Sequence, residues 1–187
     1  MPTIFDAIEF ATRAHAGQFR KGTRIPYIVH PLAVARILIE HDAPDNVVFA
    51  AVLHDVIEDT NATLAQVRAA FGDEVARLVQ GMSEPNRQDT WENRKHHTLT
   101  FMETAPLNVL LIKVADQLDN IRSLRQDYAQ QGEAIWQRFH RGREKQEWYY
   151  KRMFDVLHRR LASAQTIGLL QELEANVRAV FDETARH

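Results

Sequence analysis

An all-α fold of roughly eight to ten helices, at about 11 residues per helix, is what this sequence predicts, and three observations carry that expectation. Sustained apolar/polar alternation and Asn-Gly or Asp-Gly hairpin turns between apolar segments are missing, so strand signals are nearly absent. Helix-start pairs recur along the chain, and apolar residues return at three- and four-residue intervals. A length of 187 residues suffices for one sizeable core, so a single domain spanning 1–187 is expected.

Thr3 followed by Asp6 resembles a capping box, after which Ile4, Ile8, Ala11 and His15 fall along one helical face. Gly17, Gly22, Pro26 and Pro31 mark "GQFRKGTRIPYIVHP" as irregular, with Pro31 opening a second helix through about Ile39. Asp45 is suited to cap a third helix that runs unbroken through "NVVFAAVLHDVIED". Thr63 and Gln66 cap "LAQVRAAF", which Gly72 stops, and a short helix covers Glu74 to Val79. A polar stretch leads to a helix onset near Trp91, and after Pro106 the run "LNVLLIKVADQLDNIRSL" is apolar enough to be buried on most sides. A long charged helix from about Glu133 to Leu161 and an amphipathic one from Ile167 to about Thr184 complete the chain.

The composition is that of an ordinary globular protein, 45% hydrophobic and 26% charged, and the net charge of -2 provides no general attraction to nucleic acid polymers or anionic membranes. An anionic ligand therefore needs a local cluster of cations. The absence of cysteine excludes disulfides, thiolate metal sites and cysteine nucleophiles, leaving His, Asp, Glu and water as metal ligands. No stretch approaches the ~20 apolar residues of a membrane span and no signal peptide is legible at the N-terminus, so the expected location is the cytoplasm. The sequence gives little on oligomeric state; the aromatic "EWYYKRMF" on the long helix is read as core rather than as a subunit contact.

The chemistry concentrates in "AAVLHDVIEDT", residues 50–60, where a histidine and three carboxylates interrupt an apolar run. On a continuous helix His54 and Glu58 share one face, and Asp55 and Asp59 the next. Like charges that close are destabilising, more so when partly buried, and a divalent cation would reverse the sign. A second group, Lys113, Asp116 and Asn120, lies on one face of the apolar helix, while Asp119 is read as a solvent-facing charge. His30, immediately before Pro31, is the third. Together His30, His54, Asp55 and Asp116 form a nitrogen-and-oxygen set suited to Mn²⁺, Fe²⁺, Zn²⁺ or Co²⁺, with positions left open for water. Adjacent His96 and His97 point about 100° apart on a helix and are set aside.

An early histidine, a His-Asp pair and a late Asp resemble the pattern of the HD-domain metal-dependent phosphohydrolases. Four longer blocks, "AHAGQFRKGTRIPYIVHPLAVARIL" at 14–38, "AAVLHDVIEDT" at 50–60, "FGDEVARLVQGMSE" at 71–84 and "KVADQLDNIRSL" at 113–124, resemble the hydrolase domain of RelA/SpoT-type proteins. The resemblance implies an HD-type helical bundle and a stand-alone small alarmone hydrolase, like the animal SpoT-like group, removing pyrophosphate from the 3′ position of ppGpp and pppGpp. It further implies Mn²⁺ on His30, His54, Asp55 and Asp116, with Glu58 and Asp59 positioning and activating water. Arg20 and Lys21 match a basic pair beside the nucleotide, and Asn120 a residue at the ribose. Lys145 and Tyr149 keep a basic-x-x-x-Tyr spacing associated with phosphate and nucleotide contact. Arg24, Arg94, Lys95 and Lys113 are further candidates for the anionic rim. The chain departs from the family at Asp119, where His or Tyr is common. Two rivals are an HD-domain phosphohydrolase of another nucleotide, such as ppApp, NADPH or a nucleoside monophosphate, and an inactive alarmone-binding domain.

Overall fold

The structure, a computed structural model, describes residues 1–84, 88–163 and 165–182. Among them are nine α-helices and one 3-10 segment, and the only β pairing is an isolated bridge between Phe19 and Pro26. The all-α expectation holds. No helix among the described residues is long and apolar enough to cross a membrane.

Helix α1 (Ile4–Ala14) opens with the expected capping box between Thr3 and Asp6, and it buries Ala7 and Ala11. Helix α2 (Val29–Ile39) starts two residues earlier than predicted. Pro31 is therefore its third residue, where a missing N–H is harmless because the first N–H groups of a helix have no partner within it. That shift puts His30 in the first turn. Helix α3 (Asp45–Leu53) is capped at Pro44 rather than Asp45, and Val47, Val48 and Ala50 to Leu53 are all buried. The unbroken helix predicted through Asp59 is not found. Helix α3 ends at Leu53, the chain turns at His54 and Asp55, and a four-residue α4 (Val56–Asp59) follows.

Helix α5 (Leu64–Met82) has the predicted Thr63–Gln66 capping box. As expected, Gly72 interrupts the helical geometry, at φ 88° and ψ 172°, and the second helical stretch runs on to Met82, beyond the predicted Val79, burying Val75, Ala76, Leu78 and Val79. Helix α6 (Trp91–Met102) is capped by the Thr90 hydroxyl. Helix α7 (Leu107–Gln131) is the central column, packing on α2, α3 and α5 and on the C-terminal elements. This explains its nearly continuous apolar run: Leu110, Ile112, Val114, Ala115, Leu118 and Ile121 are fully buried.

The single charged helix expected from Glu133 is broken into a 3-10 segment (Gly132–Arg138) and α8 (Gly142–Leu161). Gly132 and Gly142, at φ 57° and 63°, provide the left-handed conformations that the two turns require. Helix α9 (Ile167–Phe181) ends before the predicted boundary at Thr184, which lies outside the described residues.

Candidate metal and phosphate site

Three elements converge on one point. His30 comes from the first turn of α2, His54 and Asp55 from the break between α3 and α4, and Asp116 from the middle of α7. Ligand atoms of His30, His54 and Asp116 lie within 4.8 Å of one another, and all three residues are buried. His30 Nε2 is 3.3 Å from Asp116 Oδ1 and 3.8 Å from Asp55 Oδ2, and His54 Nε2 is 3.0 Å from the same Asp55 oxygen.

The outer nitrogens of the two imidazoles set their tautomers. His54 Nδ1 lies 2.7 Å from the Ala51 carbonyl and His30 Nδ1 lies 2.6 Å from Asp119 Oδ2. A carbonyl and a carboxylate can only accept, so both Nδ1 atoms carry hydrogen. In the neutral rings both Nε2 atoms then aim lone pairs at Asp55 and Asp116. Facing carboxylates, each Nε2 must take up either a proton or a metal ion, and a metal bound there would replace the proton. This donor set fits a borderline divalent metal ion.

The field has the same sense. Burial opposes charge on His54, but Asp55 and Asp116 outweigh it and raise its pKa to about 9. His30 is raised as well, with Asp116 and Asp119 overcoming its burial. Asp55 is half-buried and Asp116 buried, yet His54 holds Asp55 and Lys113 holds Asp116 well below the usual carboxylate range. Lys113, itself buried, reaches Asp116 Oδ2 at 2.9 Å.

These groups line a cleft of about 300 Å³ together with Glu58, Lys95, Asn120 and Tyr149. Burial raises the Glu58 pKa, opposed by the Glu84 N–H, which donates to Glu58 Oε2 at 3.1 Å. The Lys95 ammonium lies 4.9 Å from the centre of the Tyr149 ring and 2.7 Å from Glu84, which also holds Arg94. A second cleft of about 360 Å³ adjoins the first through Tyr27, His30 and Asn120, and it carries Arg20 and Lys21. Arg20 donates to Asn120 Oδ1 at 3.1 Å, and the Asn120 amide donates to Asp116 at 2.6 Å.

The structure therefore brings together His30, His54, Asp55, Asp116, Glu58, Asn120 and Tyr149, with Arg20 and Lys21 next door. Asp59 does not line the cleft, and its Oδ2 is 3.4 Å from the Tyr27 hydroxyl. Lys145 is exposed on α8 outside both clefts, and at that turn Gln146 faces the first one. Arg24 is exposed as well. Asp119, read as a solvent-facing charge, is instead held against His30, because residues three apart on a helix are neighbours. Tyr27 was not singled out, yet its hydroxyl donates to Asp55 Oδ2 at 2.6 Å. Its spacing of one turn before His30 is the signal that could have found it.

The chain matches the family model described as HD domain over residues 7–146. It is 43% identical over 122 residues to a probable GTP pyrophosphokinase of Mycobacterium leprae, covering 64% of this chain and 15% of that protein. It is 38% identical over 122 residues to a guanosine-3′,5′-bis(diphosphate) 3′-pyrophosphohydrolase of Aquifex aeolicus, covering 63% of this chain and 17% of that protein. The match thus spans only about a sixth of the length of these curated relatives. Among solved structures, lmo0812 of Listeria monocytogenes EGD-e superposes with a TM-score of 0.76 at 37% identity, covering 84% of this chain and 97% of that one. A structure described as a metazoan ortholog of SpoT that hydrolyzes ppGpp superposes with a TM-score of 0.78 at 28% identity, covering 95% and 96% of the two chains.

Proposed function

The chain belongs to the HD domain family, and on that footing we propose that it is a Mn²⁺-dependent 3′-pyrophosphohydrolase of guanosine alarmones, with residues 1–187 acting as one domain. The observation that carries the reading is the pair of inward-facing Nε2 atoms of His30 and His54, set against Asp55 and Asp116 in a cleft lined by Lys95 that adjoins a second one carrying Arg20 and Lys21. Relatives described as ppGpp hydrolases support the substrate class.

A divalent cation held by His30, His54, Asp55 and Asp116 would supply Lewis acidity and a water of lowered pKa. Glu58, half-buried at the cleft with a raised pKa, is suited to take the proton of the attacking water and return it to the leaving ribose 3′ oxygen. Water adds to the phosphorus on that oxygen and the phosphorus–O3′ bond breaks, so ppGpp and water give GDP and pyrophosphate, and pppGpp gives GTP. Asp59 lies outside the cleft with its Oδ2 3.4 Å from the Tyr27 hydroxyl that holds Asp55, so its part is to help orient that pair rather than to touch the water. Lys95 and Tyr149 face the phosphates from one side, and Arg20, Lys21 and Asn120 meet the nucleoside from the other.

The test is product analysis with the purified chain and Mn²⁺, following GDP and pyrophosphate from ppGpp and running ppApp and NADPH in parallel. Glu58→Gln should lower kcat by about 10²–10⁴-fold, the usual worth of a positioned acid–base group, while still binding Mn²⁺. Failure of a Mn²⁺-loaded chain to release pyrophosphate from ppGpp would refute the proposal.

A further inference from the structure

His30 has a choice of tautomer that its own helix does not make. Its Nε2 is 3.3 Å from Asp116 Oδ1 and its Nδ1 is 2.6 Å from Asp119 Oδ2, so carboxylates flank both ring nitrogens. A neutral imidazole has one proton to give. If the proton sat on Nε2, it would be donated to Asp116 and the inner nitrogen would be lost as a metal ligand. Asp119 holds the shorter contact and draws the proton outward.

We propose that Asp119 is a positioning residue that fixes the orientation and tautomer of His30, so that Nε2 presents its lone pair to the cation. The inference rests on the metal site proposed above. The geometry comes from α7, where Asp116 and Asp119 stand three residues apart, and the His30 ring from α2 lies between them. Nothing else in the described structure meets His30 Nδ1, whereas His54 receives the same service from the Ala51 carbonyl. A carboxylate also raises the basicity of the ring it holds more than a carbonyl does. Its charge beside Asp116 is offset by Arg20, whose guanidinium lies 3.7 Å from Asp119 Oδ2.

Co²⁺ is the probe, because it binds nitrogen and oxygen donors more tightly than Mn²⁺ and its visible absorption reports the ligand set without any turnover. Asp119→Asn keeps the shape of the side chain, and its amide can donate to Nδ1 and so permit the wrong tautomer. We expect D119N to weaken Co²⁺ binding about 10–100-fold and to change the visible bands. In an H30A background, D119N should cost almost nothing further, because Asp119 acts through His30. Asp127→Asn, which removes a carboxylate from the Asp127–Arg138 ion pair lining the second cleft, should leave Co²⁺ affinity within about twofold, well under the 10–100-fold of a lost outer-shell partner.

Wild-type affinity and bands in D119N would overturn the inference and leave the metal site standing. Equal losses in D119N and D127N, or a D119N loss undiminished by H30A, would reduce Asp119 to a general charge and overturn it too. A wild-type chain that binds no Co²⁺ or Mn²⁺ would instead refute the proposed metal site.

Discussion

Removing divalent ions with a chelator should leave a protein that loses stability as the pH rises from 6.5 to 9. Folding lifts the His54 pKa from 6.5 to about 9, so its contribution is fully present below 6.5 and disappears as the pH passes through about 9. At 1.36 kcal/mol per pH unit that contribution is roughly 3 kcal/mol, and His30, raised by Asp116 and Asp119 against its burial, adds in the same direction. Other displaced groups do not mask the trend. Asp55 and Asp116 titrate below the window, Lys113 and Tyr27 above it, and the upward shift of Glu58 acts in the same sense.

A bound metal reverses the dependence. It must displace the imidazole protons, so Mn²⁺ affinity should climb by up to about tenfold per pH unit for each histidine. Urea denaturation followed by circular dichroism, with chelator or with Mn²⁺ under anaerobic conditions, measures both slopes. The metal-free chain should weaken toward pH 9 while the increment from Mn²⁺ grows. Metal-free stability that is flat or rising across this range, or a Mn²⁺ increment equal at both ends, would refute the picture of two imidazoles held against two carboxylates.

Lys113→Met removes one partner of a buried ion pair and should destabilise the metal-free fold by about 3–5 kcal/mol, with a smaller loss in Mn²⁺, where the cation compensates Asp116; paired thermal scans give the difference. Gly72→Ala should cost about 1–3 kcal/mol through backbone strain alone, because the added Cβ at φ 88° meets no atom within 4 Å; the urea midpoint should fall at an unchanged slope. Tyr27→Phe deletes a 2.6 Å hydrogen bond to Asp55, worth about 1.5–3 kcal/mol for a charged acceptor, and should lower both Mn²⁺ affinity and the melting temperature of the loaded protein.

Features that depend on a few neighbouring residues were legible in the sequence. Both capping boxes, Thr3 with Asp6 and Thr63 with Gln66, form as read because donor and acceptor lie within one turn. His30, His54, Asp55 and Asp116 could be nominated because buried charge needs a partner wherever the chain places it. What failed depended on other elements. Asp119 was assigned to solvent by its angle on α7 alone, but the ring arriving from α2 reaches two carboxylates at once. Lys145 kept a plausible spacing to Tyr149, yet only Tyr149 turns inward. Carrying one helix across Gly142 ignored a glycine whose positive φ ends the preceding turn.

The break after Leu53 is the misreading with the largest chemical consequence. On a continuous helix, adjacent residues diverge by about 100°, so His54 and Asp55 could not both face Asp116. The chain leaves the helix instead. Asp55 adopts φ -100° and ψ -5°, in the sparsely populated bridge region where active-site residues are often found. Its carbonyl then accepts from the N–H groups of Glu58 and Asp59, starting α4. The detour brings His54 Nε2 to 3.0 Å from Asp55 Oδ2 and swings Glu58 into the same cleft. Here Tyr27 holds the Asp55 carboxylate, Ala51 orients His54, and α7 presents Asp116 from the core. The break in the helix and the convergence of donors thus have one origin, and a variant that restored a straight helix from Asp45 to Asp59 would gain local regularity while separating the two adjacent ligands.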